Sequence, residues 1–434
     1  MSNKSIFFHI ILGWLFFNYS FLSTLYAIGI VLYGIYSILN NYDSARYLPI
    51  KYSAYIVGLE VLLRMNNAKL FWEFSKYSII IFLLLGIFKT KKNTKLNILI
   101  VLYFLFLLPS IIWVPSESFS EWRQFVAFNL SGPFCLLISS IYFININIKK
   151  NKLIDCISFA LLPLISMSVF IILKMPVFAS YNFLPYSDPV TSGGYGPNQV
   201  SSIFGFGISI LVLAMINSFS VTKIKNLDKI ILMSFFSLGL ITFSRGGILA
   251  AIIALSIGIS WKFLKIKKTY ALVFNSLIIV LISSFVWLAI SQITGNMIAK
   301  RYGVLNSIGE TSILDLTGRA QIYNIDLQIF SNNILTGVGP GMAYIEREKY
   351  GYGKKVSAHT EYSRMLAEHG LLGLLSLLCL LSATVKWLIL LPDHKNKDLI
   401  LVMGILALLT LFHSAMRLAM PSLAFALIFP KYEK

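Results

Sequence analysis

Apolar runs long enough to cross a lipid bilayer recur from one end of this chain to the other, separated only by short polar stretches. A spanning helix needs about 20 mainly apolar residues. The hydrocarbon core offers no water to backbone N–H and C=O groups, so such runs must be helices that satisfy themselves internally. The 434 residues are 57% hydrophobic and 13% charged, with a mean hydropathy of +0.76, which excludes a soluble globular domain. The expectation is an all-α, polytopic integral membrane bundle of about 12 (12–14) transmembrane helices, forming one domain over 1–434.

The clearest spans are 96–114, 126–146, 154–174, 201–219, 230–243, 247–264, 270–292, 371–391 and 399–412. The N-terminal MSNKSIFFHIILGWLFF lacks a small-residue cleavage site and reads as a retained helix, or as one half of a tight helical hairpin with LYAIGIVLYGIYSIL. AYIVGLEVLLRM carries Glu60 and Arg64 four apart and reads as a span or an interfacial helix. Cys135, Cys156 and Cys379 sit in apolar runs without metal-ligand spacing, so neither a disulfide framework nor a metal site is expected.

The formal charge of +19 lies mostly in short loops: 89–95, 147–152, 223–229, 262–268, 394–397 and the terminal KYEK. The positive-inside rule places these on the cytoplasmic face, so the charge encodes orientation and implies no nucleic acid. Pro115–Phe125, Met175–Ser201, the Ser244–Gly246 turn and a long segment over 294–368 then fall outside. Loops of that last length are usually functional. Within it, Thr317 is placed to cap an amphipathic helix with Ile322, Ile325 and Ile329 on one face, ending before GVGPG (337–341). From Lys300 to Glu368 the segment carries eight Lys/Arg against seven Asp/Glu, so an anion site there must be local. There is no internal repeat of the kind many transporters show.

HTEYSRMLAEHG (359–370) places two histidines, two carboxylates and an arginine at the lip of an apolar run. A helix beginning there sets His359 near its positive end, which favours neutral imidazole, a proton acceptor. His369, beside Gly370, reads as structural, and Arg364 as the i,i+4 partner of Glu368 or a headgroup contact. Arg245 in FSRGGILAA is isolated between apolar runs, where an unpaired charge costs on the order of 3 kcal/mol unless it snorkels. Arg319 in LTGRAQIYN opens the external helix, where N–H groups and guanidinium suit a phosphate. Arg123 and Arg417 are external arginines of lower weight. In YGPNQVSS, Asn198 reads as a helix cap, and the GVGPG amides could approach an anion. Arginines supply charge for a diphosphate, and a histidine supplies a base for a hydroxyl. The combination suits displacement at a sugar C1 by an alcohol with a lipid diphosphate departing.

SRGG at the end of one run, TGR opening an external helix, G-x-G-x-G, then H-x-E-Y-x-R-x-x-A-E-x-G-x-x-G entering the next run resembles the O-antigen ligase and Wzy-type polymerase superfamily. The resemblance extends over roughly 195–420, with the first half similar only in hydropathy, and departs from the common H-N at His359-Thr360. It implies a GT-C-like, metal-independent inverting glycosyltransferase of the bacterial inner membrane, without cofactor, acting on the periplasmic face. Its donor would be an undecaprenyl-diphosphate-linked oligosaccharide, with membrane lipids and a polysaccharide chain-length regulator as further partners. Carried over position by position, Arg245 and Arg319 would bind the diphosphate and His359 would activate the acceptor hydroxyl, with Arg364 and Tyr362 as further contacts. The modest external loop favours a polymerase. A ligase to lipid A-core and a protein O-oligosaccharyltransferase are the alternatives within the superfamily, and a lipid-linked glycan flippase or a scaffold the alternatives outside it.

Overall fold

The computed structural model describes the whole chain except residues 42–45, 91–93, 117, 178–179, 266–269, 304–318, 353–357, 359, 391–395 and 434. Thr317 and His359 fall among these exceptions, and the side chain of Arg319 is likewise outside the described set. The first half comprises α1 (Asn3–Asn18), α2 (Phe21–Asn40), α3 (Leu48–Met65), α4 (Phe74–Thr90), α5 (Ile98–Leu105), α6 (Phe119–Ile144), α7 (Lys150–Ile157) and α8 (Leu161–Lys174). It continues with α9 (Pro197–Ile216), α10 (Lys225–Ile241), α11 (Arg245–Lys265), α12 (Tyr270–Ile293) and α13 (Met297–Arg301). The last elements are α14 (Arg319–Asn332), α15 (Ala343–Glu346), α16 (Glu361–Leu390), α17 (Lys397–Leu411) and α18 (Met420–Ala426).

Among the described residues, 7 helical stretches are long and apolar enough to cross a membrane: Phe21–Asn40, Phe119–Ile144, Lys150–Lys174, Val190–Ile216, Arg245–Lys265, Ser276–Ile293 and Glu361–Ile389. That is fewer than the dozen expected, for identifiable reasons. α1, α4, α10 and α17 are apolar but only 16, 17, 17 and 15 residues long. α3 carries Lys51, Glu60 and Arg64, yet it is buried in the bundle along most of its length and is no interfacial helix. The span expected at 96–114 is broken: α5 has 8 residues, and a 3-10 turn, Pro109–Trp113, follows, because Pro109 has no N–H to continue the ladder.

α9 forms the centre of the core, most of its residues being inaccessible. It lies so close to α11 that a Cβ on Gly247 would sit 2.2 Å from the Ser201 carbonyl carbon. The second glycine of SRGG is therefore a packing requirement. Asn198 does not cap α9 either: Gly196 holds that position, and the Asn198 side chain accepts from Ser244 Oγ at 2.7 Å, fastening α9 to the SRGG turn.

The basic loops gather at one end of the bundle. Asn145 bonds Lys95 in both directions, β1 (Asn147–Ile148) pairs in parallel with β2 (Lys431–Tyr432), and Lys150 and Lys262 converge on Asp398. The opposite end carries the α3–α4 turn, the start of α6, the start of α9, the 333–352 segment and the turn between α17 and α18.

Candidate functional site

Residues 361–370 of the HTEYSRMLAEHG motif form the first arm of α16. Thr360 Oγ1 accepts the Tyr362 N–H at 3.2 Å, so the helix begins at Glu361, two residues beyond His359. The arm ends at Gly370, whose φ of 59° and ψ of −138° turn the chain into the long apolar arm. A Cβ there would stand 2.5 Å from the Ile334 carbonyl oxygen, so glycine is required at the joint. The GVGPG loop is not an anion cradle. Its amides serve the end of this arm: Val338 N–H donates to Ala367 O at 3.0 Å and Gly339 N–H to Glu368 O at 2.9 Å. Carbonyls that the kink would strand are satisfied in this way.

At helical spacing Glu361, Arg364 and Glu368 share one face, and all three line a cavity of about 600 Å³. α6 supplies Glu121, Phe125 and Asn129, the α3–α4 turn Trp72 and Glu73, α9 Gln199, the external segment Tyr344 and Arg347, and the α17–α18 turn Met416 and Arg417. Three guanidiniums therefore face one cavity, in three different states. Arg364 is saturated: it is bidentate on Glu361 (2.5 and 3.1 Å) and also bonds Glu368 at 2.5 Å and Asn129 Oδ1 at 2.7 Å. Arg347, 1% exposed, is fixed on the fully buried Asp326 through Nη2 at 2.6 Å and Nε at 2.8 Å. Asp326 Oδ2 accepts from Ser363 Oγ at 2.7 Å, which ties α14 to α16. Burial raises the Asp326 carboxyl above its usual range, outweighing the attraction of Arg347.

Arg417 differs. Among the described residues no carboxylate lies within ion-pair distance of it, and its Nη2 donates to the carbonyl of Ala358, the residue preceding His359. Burial and the nearby Arg364 lower its pKa to about 10, so it stays cationic at neutral pH. Glu73, 5% exposed, borders the same cavity and likewise has no ion-pair partner among the described residues. A cation and a carboxylate without an ion-pair partner among the described residues thus border the same cavity.

The other residues singled out from the sequence lie elsewhere. Arg245, half-buried at the start of α11, is not among the lining residues. Arg123 is exposed on α6, and Tyr362 points away, its hydroxyl donating to Leu408 O at 3.1 Å and its ring 4.4 Å from that of Phe412. His369 is buried with Nδ1 on Ser110 Oγ at 2.5 Å, a structural role as expected. Sequence reasoning passes over Arg347, Glu73 and Asn129 and gives Arg417 low weight. Asp326 does carry a signal: it sits among Ile322, Ile325 and Ile329, all buried, and a carboxylate on such a face requires a partner.

Residues 230–378 match the family model described as O-Antigen ligase. The matched segment is similar to an O-antigen ligase domain, which supports the resemblance to the O-antigen ligase/Wzy superfamily. It spans α10 to the first turns of the long apolar arm of α16, and so contains the joint at Gly370, the Asp326–Arg347 clasp and the Glu361–Arg364–Glu368 face. The matched segment supplies one wall of the cavity, and α6, the α3–α4 turn and Arg417 outside it supply the others. No curated protein matches the chain in sequence.

Proposed function

We propose that the chain is a membrane glycosyltransferase that takes an undecaprenyl-diphosphate-linked glycan as donor and joins it to an acceptor hydroxyl during surface polysaccharide assembly, as a Wzy-type polymerase. The observation that carries this reading is Arg417, a half-buried cation without a carboxylate partner among the described residues, bonded to the carbonyl next to His359 and open to the cavity. The guanidinium holds the diphosphate, with Arg245 and Arg319, the first residues of α11 and α14, as further cations. His359 takes the proton of the acceptor hydroxyl as its oxygen attacks the sugar C1. The bond from C1 to the diphosphate oxygen breaks on the opposite face, inverting the anomeric centre, and undecaprenyl diphosphate departs. A diphosphate neutralised by guanidinium is a weak base, so its departure needs no general acid and no metal. Glu73 offers an acceptor to sugar hydroxyls within the same cavity. The GT-C-like site faces the periplasm, on the end of the bundle away from the basic loops.

Reconstitution with a lipid-linked oligosaccharide tests the assignment. Wild type should lengthen the glycan and release undecaprenyl diphosphate, and His359→Ala and Arg417→Ala should abolish both. Product from either variant at the wild-type rate would sink the assignment. The family description favours a ligase as second reading. Surface polysaccharide from a deletion strain separates the two: single-repeat caps indicate a polymerase, bare lipid A-core a ligase.

A further inference from the structure

A second cavity, of about 290 Å³, opens beside the first and shares Trp72 with it. Its polar lining comes from Glu60, Arg64, Asn67, Ser75 and Tyr195, with Trp72 among the aromatic rings at its wall. The volume lies at the lower edge of small-ligand pockets, which run from about 300 to 1,000 Å³. Its charge is balanced internally. Arg64 Nη2 bonds Glu60 at 2.6 Å and the guanidinium stacks over Trp72 at 4.2 Å, while the other Glu60 oxygen accepts the Ala419 N–H at 2.8 Å. Little net charge is left for a phosphate, in contrast to the space beside Arg417. Hydroxyl, amide and carboxylate groups beside flat aromatic faces instead match a neutral polyol, which offers hydroxyls to the first and C–H faces to the second.

The two cavities are also mechanically joined. Gln199, which lines the larger, accepts at Oε1 from Tyr195 at 2.8 Å and from Arg64 at 3.3 Å, both lining the smaller. Arg64 Nη2 further donates to the carbonyls of Trp72 at 3.3 Å and of Arg417 at 3.2 Å. We propose that the smaller cavity is a subsite for an uncharged sugar residue of the glycan, with Trp72 as the wall between it and the space in which the diphosphate is held. The assignment rests on the glycosyl-transfer reading above and places the sugar next to the reacting end.

Calorimetry on the full-length protein in nanodiscs, with two separate probes, tests it. One probe is soluble oligosaccharide released by mild acid from the source cell's own surface polysaccharide, the other undecaprenyl diphosphate without sugar. Ala68→Trp fills the smaller cavity without altering its charges. It should weaken oligosaccharide binding at least tenfold and leave undecaprenyl diphosphate binding unchanged. Should Ala68→Trp lose its thermal transition, Asn67→Gly replaces it, since glycine keeps the positive φ of 52° and removes only the amide. That variant should bind the oligosaccharide severalfold more weakly. Wild-type oligosaccharide affinity in the folded variant, equal loss of both probes, or no binding of the oligosaccharide by wild type would each overturn the subsite. Binding of oligosaccharide without binding of undecaprenyl diphosphate would leave the subsite standing and overturn the donor assignment instead.

Discussion

Asp326 holds the external helix α14 to the site, and its removal has a cost set by the geometry. Asp326→Ala strips Arg347, 1% exposed, of its carboxylate and leaves Ser363 without its acceptor. Breaking a buried ion pair from one side costs about 3–5 kcal/mol, because the remaining charge stays out of water uncompensated. At about 1.4 kcal/mol per tenfold, that corresponds to a hundred- to several-thousand-fold rise in the opened population of α14. Hydrogen exchange of residues 320–332 in nanodiscs reads this directly, with the amides of α9 as an internal control. Replacing the whole clasp is a different matter. Burial already outweighs the attraction of Arg347 in setting the Asp326 carboxyl, so apolar groups of similar volume should lose little. Asp326→Leu with Arg347→Met and Ser363→Ala should restore protection to within about 1 kcal/mol of wild type. Protection within tenfold of wild type in Asp326→Ala, or a triple variant as open as the single one, would refute the reasoning. The same residue sets a pH dependence. Its folded pKa is raised, so the folded state binds more protons between the unfolded and folded values, and stability falls as pH rises through that window. Asp326→Asn should flatten that slope.

Arg417→Ala should weaken undecaprenyl diphosphate binding about ten- to a hundredfold, the equivalent of the 1.5–3 kcal/mol of a charged hydrogen bond, measured by calorimetry. Gly370→Ala forces a side chain into φ 59°, ψ −138° against the Ile334 carbonyl and should cost at least about 1–3 kcal/mol in unfolding free energy, read as a lowered thermal midpoint. Asp398→Ala, at the opposite end, leaves Lys150 and Lys262 without the carboxylate they share and should lower the thermal midpoint far more than removal of an exposed acidic residue, with transfer per folded molecule retained.

Much of the fold is readable in the sequence because its cause is periodic and local. The apolar runs, the buried Ile322, Ile325 and Ile329 stripe and the joint at Gly370 depend on the spacing of neighbours and on one backbone conformation. The dozen spans are less legible, because hydropathy does not register where Pro109 breaks a run or where α3, with three charged residues, buries Glu60 inside the bundle. The basic loops illustrate the limit from another side. The positive-inside rule assigns Lys150 and Lys262 a common end, which is where they are found, but not the shared Asp398 that makes them part of the core.

The arginines of the cavity show why the site is harder to read than the fold. Local context locates the partner of Arg364, because Glu368 stands four residues on, in the same helix. It passes over Arg347, whose carboxylate is twenty-one positions upstream on a separate element, since YIEREKY reads as solvated charge. Local spacing also leads to Arg245, isolated in sequence and outside the cavity lining in space, and away from Arg417. Short-range spacing can show that a charge has a partner, but whether a cation lacks one depends on every element folded around it. An anion site is defined by that lack, so among the described residues Arg417 ranks above Arg364 only once the Glu361–Arg364–Glu368 face and the Asp326–Arg347 clasp have accounted for the other two guanidiniums.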